Sequence, residues 1–335
     1  MSGEEHHAAR VIPDRIPNRF RQWQRWEVLL LGVGILIFLF NSFASPYFLN
    51  PYNLSDATFN FTEKAIIAFA MALLIIAGEI DLSVASIIAI ASTAMGAAAA
   101  AGAGPSTLVI VGLAVGLAAG AFNGFIVTRF QIPSIVVTIG TMSLFRGIAY
   151  VVLGDQVYRT YPAGFEYFGQ GYVWWVFSFE FALFLALAVI FGVVLHLTVF
   201  GRRIYAIGNN PVAAQFSGVR VDRIRFLLFL LTGLMSGVAA ILLTSRIGST
   251  RPTIATGFEL EVVTMVVLGG VNILGGTGTI PGVLIAAFVM GLVTFGFGLL
   301  NVPGIVMSIF IGSLLIGVIA LPIIAGKITR RRRTA

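Results

Sequence analysis

Glu79 and Asp81 stand two positions apart in the string IAGEIDLSVAS (residues 76–86), inside a stretch that is otherwise almost wholly apolar. Carboxylates in such surroundings either carry a proton or an ion along a path, or face a bundle interior and hold a turn. Asp81, followed by Leu82, Ser83 and a long helix-forming run, fits an N-cap, a side-chain oxygen that accepts the unpaired N–H groups of a helix start. Arg146, in TMSLFRGIAYVV, poses the same problem with opposite charge. A guanidinium at that depth needs a carboxylate, backbone carbonyls or water. Glu79, Asp81, Ser83 and Arg146 are therefore candidates for a translocation path or gate, with capping and a structural ion pair as the plainer alternatives. His196, on an apolar run, reads as a packed or interfacial residue near a helix end rather than a proton relay.

Hydrolytic and redox chemistry is missing from the chain. Its two lysines, Lys64 and Lys327, follow no phosphate-cradling glycine run, so no GxxxxGK[ST] loop exists. The string GGTGTIPG puts Pro281 where a dinucleotide fingerprint needs its last glycine. There is no cysteine, no GxSxG and no HExxH, which removes disulfides, thiolate metal sites and the common nucleophiles. The sequence thus predicts no catalytic residue, no metal ligand and no cofactor of its own: a non-enzyme that must draw any driving force from a partner or an ion gradient.

The elements that hold these residues are membrane spans. Of 335 residues, 58% are hydrophobic, and apolar runs near 20 residues recur, the length that crosses a bilayer core. An all-α polytopic protein of about ten transmembrane helices follows. The spans are predicted at 28–46, 62–77, 82–103, 106–127, 133–153, 173–199, 226–246, 259–274, 281–300 and 303–324. They form one domain over 28–325, between a polar tail at 1–27 and a basic tail at 326–335. Segments 62–77 and 259–274 are the irregular ones: the first is short and the second opens on Glu259 and Glu261.

Ten spans put both termini on one side. With that side cytoplasmic, sixteen Lys and Arg lie in cytoplasmic segments and three (Arg159, Arg246 and Arg251) outside. That asymmetry is the positive-inside signature of a multi-pass membrane protein, and it explains the net charge of +7 without nucleic acid. The one long outer loop, 154–175, is rich in Tyr, Trp and Phe. It reads as an interfacial belt at Trp174 and Trp175, with a platform for a partner or sugar ring as the other reading.

Two strings repeat a pattern. Aligning Gly78 of IAGEIDLSVAS with Gly269 of LGGVNILGGTG sets Asp81 against Asn272, and both strings reach the same face of the membrane. Pathways of transporters commonly run between such repeats, which adds Asn272 to the candidates. The small-residue strings AAAAAGAG and GLAVGLAAGAFNG read as surfaces for close helix packing.

One cytoplasmic segment, 200–225, carries five arginines in a chain with 10% charged residues. Within it, VAAQFSGV resembles the coupling loop of ATP-binding-cassette importer permeases. Ala213, Ala214 and Gly218 match that signature, while Val212 stands in place of its glutamate. With GEIDLSVASI and LGGVNILGGTGTIPG, the chain resembles the ribose/xylose/rhamnose/autoinducer-2 permease family over about 28–325, and VPGIVMSIFIG, TSRIGSTRP and GYVWWVFSF are most similar to its rhamnose-type members. The resemblance implies a type II ABC-importer-like fold and ATP-driven import of a monosaccharide such as rhamnose or ribose. It implies three partners: ATPase subunits that hold ATP and Mg, a periplasmic sugar-binding protein, and a second permease subunit, identical or related. Gly208, Asn209, Asn210, Ala213, Ala214, Gly218 and Arg220 are then the coupling residues. Asn209 and Asn210 before Pro211 suit a turn into a short helix. An ion-coupled secondary transporter and an ABC permease for branched-chain amino acids are the rival readings.

Overall fold

Spans of nearly uninterrupted apolar residues have no internal reason to stop, so the turns between them decide the architecture. The computed structural model describes residues 19–154, 156–314, 316 and 317. Its first half contains α1 (Arg19–Ala44), α2 (Pro51–Phe59), α3 (Thr62–Ile76), α4 (Val84–Ala100), α5 (Pro105–Phe130) and α6 (Ser134–Leu153). A one-turn α7 (Tyr167–Gln170) and a hairpin of β1 (Tyr172–Trp174) and β2 (Phe177–Ser178) follow. Then come α8 (Phe179–Leu197), α9 (Val199–Asn209), α10 (Pro211–Phe216), α11 (Val221–Ile247), α12 (Phe258–Leu268) and α13 (Ile280–Leu299). The last described helix is α14 (Gly304–Leu314).

Six of these helices are long and apolar enough to cross a membrane, and α2 with α3 makes a further span bent by 47°. With the shorter α4, α12 and α14, every one of the ten predicted spans holds a helix. The boundaries differ where polar residues prolong a helix or aromatic ones interrupt it. α1 already begins at Arg19, inside the predicted tail, because the Arg/Gln-rich flank continues the same helix. The span predicted from 173 starts at Phe179, since 172–178 folds into the hairpin, a small β exception to an otherwise all-α chain. Residues 1–18, the end of the tenth span and the 326–335 tail with its basic tract at 330–333 lie outside the described residues.

The bundle has two distinguishable ends. One carries α9, α10 and the loops 77–83 and 269–279; the other carries 154–178 and 248–257. α3 is buried along its whole length, as expected of a helix apolar on every side. α5 and α11 pack antiparallel through glycines. A Cβ on Gly116 would fall 2.5 Å from Gly233 O, and one on Gly120 would fall 2.5 Å from Phe229 O. Such contact needs small residues at four-residue spacing, which GLAVGLAAGAFNG supplies.

The irregular spans are short in fact. α12 has 11 residues and α3 has 15. At a rise of about 1.5 Å per residue they reach only about 16 and 22 Å, less than a bilayer core. They run parallel: Lys64 Nζ meets Glu261 Oε2 at 2.5 Å near their starts, and Gly276 N donates to Ile76 O at 2.9 Å just past their ends.

Candidate coupling junction

The segment that the charge pattern singled out is built by local rules. Thr198 Oγ1 accepts the Gly201 N–H at 3.3 Å and starts α9. One face of α9 (Gly201, Ile204, Ile207) is buried, while Arg202 and Arg203 are exposed. Asn210 interrupts the helix with extended backbone and restarts it, its Oδ1 accepting the Ala213 N–H at 3.0 Å ahead of α10, where Pro211 opens the first turn. α10 stops at Gly218, whose φ of +83° carries the chain into a left-handed cap closed by Val219 N donating to Ala214 O at 3.0 Å.

The candidate coupling residues divide on this scaffold. Ala213, Gly218 and Arg220 are exposed, and so are Pro211, Val212, Gln215 and Phe216, the last 89% exposed. Ala214 is buried against the chain itself. Gly218 has open space around it, so its backbone angle, not a close contact, calls for glycine there.

Half-buried Gly208 and the still exposed Asn209 sit against two helix breaks. A Cβ on Gly208 would fall 1.8 Å from Ile76 O and 2.5 Å from Gly276 N, so glycine alone fits. Asn209 Nδ2 donates to Gly276 O at 3.1 Å and to Tyr205 O at 2.7 Å. Tyr205 OH donates to Gly278 O at 2.6 Å, and burial pushes this phenol up to about 12, which keeps it a donor. One turn of α9 is thereby tied to the end of α3 and to the loop after α12.

The two breaks share one construction. Gly78 (φ +87°) ends α3, with Glu79 N donating to Leu74 O at 3.1 Å. Gly270 (φ +85°) ends α12, with Val271 N donating to Val266 O at 3.3 Å. Both are Schellman caps. The conformational match is therefore Gly78 with Gly270, one residue off the ungapped alignment with Gly269, because the first loop holds an extra residue before its acidic or amide position. Past that point the match returns. Asp81 Oδ1 accepts the Ser83 N–H at 2.8 Å, and Asn272 Oδ1 accepts the Leu274 N–H at 3.0 Å. Each side chain closes a turn two residues on, so Asp81 shapes the approach to α4, while Ser83 occupies the cap position itself without a side-chain cap bond.

Asp81 and Ser83 are fully buried and joined to α5. Ser83 Oγ donates to Asp81 Oδ1 at 2.6 Å, and Asn123 Nδ2 donates to Ser83 Oγ at 2.8 Å. Glu79 lies 3.0 Å from Arg225 Nε as a charge contact without hydrogen-bond geometry. Sequence reasoning missed that pair because no local pattern connects positions so far apart. It also missed Asn123, read only as part of a packing string. Arg146 is not at the junction. It lies toward the opposite end, where its Nη1 donates to Pro252 O at 2.8 Å and Ile254 O at 2.9 Å, the carbonyl solution for a half-buried guanidinium. His196 is exposed near the end of α8, its Nε2 accepting the Ile280 N–H at 3.3 Å.

Residues 53–319 match the family described as branched-chain amino acid transport system / permease component. The chain belongs to this permease family. Its curated relatives include the ribose import permease protein RbsC of Bacillus subtilis, 35% identical over 81% of this chain and 84% of that protein. The L-arabinose ABC transporter permease protein AraH of Azospirillum brasilense is 34% identical over 92% of this chain and 91% of its own length. The autoinducer 2 import system permease protein LsrC of Yersinia enterocolitica is 32% identical over 90% and 83%. The permease is a multi-pass inner-membrane transport subunit and not a catalyst.

Proposed function

We propose that this permease is the membrane path of an ATP-driven importer for a monosaccharide, coupled to a separate ATPase through the 200–225 segment. The observation that carries the reading is the junction: Gly208 and Asn209, eight residues or fewer from the exposed face of α10, rest on the breaks of α3 and α12 together. A push on α10 therefore reaches two parallel spans at once. In this reading ATP and Mg sit on the ATPase. The exposed Val212, Ala213 and Phe216 meet that subunit, with Arg220 at the rim of the contact, and the α10 end with both termini faces the cytoplasm. A binding protein delivers the sugar at the opposite end, and a second permease copy or related chain completes the path.

Sugar rather than a branched-chain amino acid is favoured because the relatives above are named for ribose, L-arabinose and autoinducer 2. Ion coupling is disfavoured because Asp81 commits its oxygen to a turn that an uncharged Asn272 closes equally well. The test is uptake into vesicles that contain the permease, its ATPase and its binding protein. Uptake of a labelled pentose or deoxyhexose that needs ATP inside and persists without an ion gradient is expected. Uptake of leucine instead, or uptake driven by a gradient alone, would overturn the proposal.

A further inference from the structure

At the end opposite α10, the short α3 and α12 leave a space that longer helices would fill. It is a cavity of about 470 Å³ between the starts of α3 and α12, the end of α11 and the 248–257 segment. Small-molecule sites typically span about 300–1,000 Å³. Its wall is held in place from outside. Arg146 clamps the carbonyls of Pro252 and Ile254, and between this clamp and α12 the chain takes a left-handed turn at Ala255 (φ +58°). A non-glycine residue is strained in that conformation, so the surroundings impose the shape.

We propose that this cavity is a receiving site for an uncharged polyol, the point at which the permease first holds its substrate; the inference rests on the reading of the chain as a sugar importer. The charge pattern selects the ligand class. Both cations on the inner wall are already matched: Lys64 by Glu261 at 2.5 Å and Arg246 by Glu63 at 2.8 Å. Their remaining N–H groups are donors whose charge is neutralised, which suits hydroxyls better than a carboxylate or phosphate. Asn60, Ser249 and Thr253 also line the space, and their side chains bond to no other described residue. Leu243, Ile254 and Phe258 add an apolar patch for the C–H face of a ring. Arg251 stands exposed at the rim with no ion pair among the described residues, so an anion could be drawn to the mouth but finds no surplus charge within.

The chain has no native cysteine, so single cysteines report the site directly. In the assembled complex, Thr253→Cys and, separately, Ser249→Cys are labelled with a membrane-impermeant maleimide. The labelling runs with ribose, L-arabinose, rhamnose or galacturonate present, and with no sugar. The expected result is that the transported neutral sugar slows labelling at least threefold and saturably at both positions, while galacturonate does not. Asn60→Leu should abolish that protection. Protection by galacturonate alone would replace the polyol with an anion and overturn the assignment. So would unchanged labelling in a complex that transports sugar normally. A wild-type complex that imports no sugar at all would instead defeat the importer reading, a distinct outcome.

Discussion

At the scale of single residues, the buried carboxylates divide into those with a structural role and one without. Asp81 belongs to the first group. It accepts two bonds from Ser83, and its other oxygen has only a 3.5 Å approach from Asn123. Asparagine can keep the first two, and Asn123 retains Ser83 Oγ. Asp81→Asn should therefore transport sugar at near wild-type rate, while Asp81→Ala loses the turn, leaves buried Ser83 donors without their acceptor at a cost of about 1–3 kcal/mol, and lowers complex yield. Uptake and yield measured together check this; a fully assembled but inactive Asn variant would restore the charge-coupling reading. Glu180 is the carboxylate without such a role. It is 1% exposed, and neither oxygen has a partner among the described residues. A buried unpartnered polar group costs about 1–3 kcal/mol, so Glu180→Leu should raise the melting temperature of the purified complex. A lower melting temperature would show that the carboxyl meets a partner in the assembly.

Elements carry the coupling argument. α9 transmits only if its last turn stays seated on the breaks of α3 and α12, and that seat depends on the missing Cβ of Gly208. Gly208→Ala forces backbone apart at an overpacking cost of about 1–3 kcal/mol and should uncouple ATP hydrolysis from uptake. Gly218→Ala meets no neighbour and loses only what its left-handed angle costs, about 1–2 kcal/mol, so it should reduce uptake far less. The ratio of sugar moved to ATP hydrolysed, measured for both, decides; an equal fall would place the critical contact at the cap of α10 instead. The contrast also shows what the sequence could convey. The start of α10 was legible in Asn210 and Pro211, because capping is local chemistry. The placement of Gly208 against the breaks was not, since its reason is the carbonyl of Ile76, more than a hundred positions away. Likewise the repeat was visible, but its register slipped by one residue where the first loop carries an extra position.

For the whole molecule, the all-α polytopic fold and the order of its apolar helices were legible because bilayer thickness sets the length of apolar runs, although only six helices, or seven with the bent α2–α3 pair, are long enough to cross. Less legible was how two short helices could serve as spans. The answer is tertiary: α3 is wrapped on all sides and α12 runs beside it, so their free ends face protein and the cavity rather than lipid. The proposed orientation rests on the charge asymmetry, and it can be tested in this cysteine-free background. Position 210 lies at the α10 end and is exposed; position 164 lies in the opposite loop and is exposed. Asn210→Cys should react with an impermeant maleimide only after the membrane is opened, and Gly164→Cys should react in intact cells stripped of their outer barrier. Because Asn210 caps α10, Gln215→Cys, exposed on the same helix without a cap bond, serves as its control. Since α3 and α12 run parallel, a single reversed result would turn both breaks, the arginine-rich segment and the cavity to the wrong sides together. The ATPase would then face the cavity instead of α10, and the coupling proposal would fail as a unit.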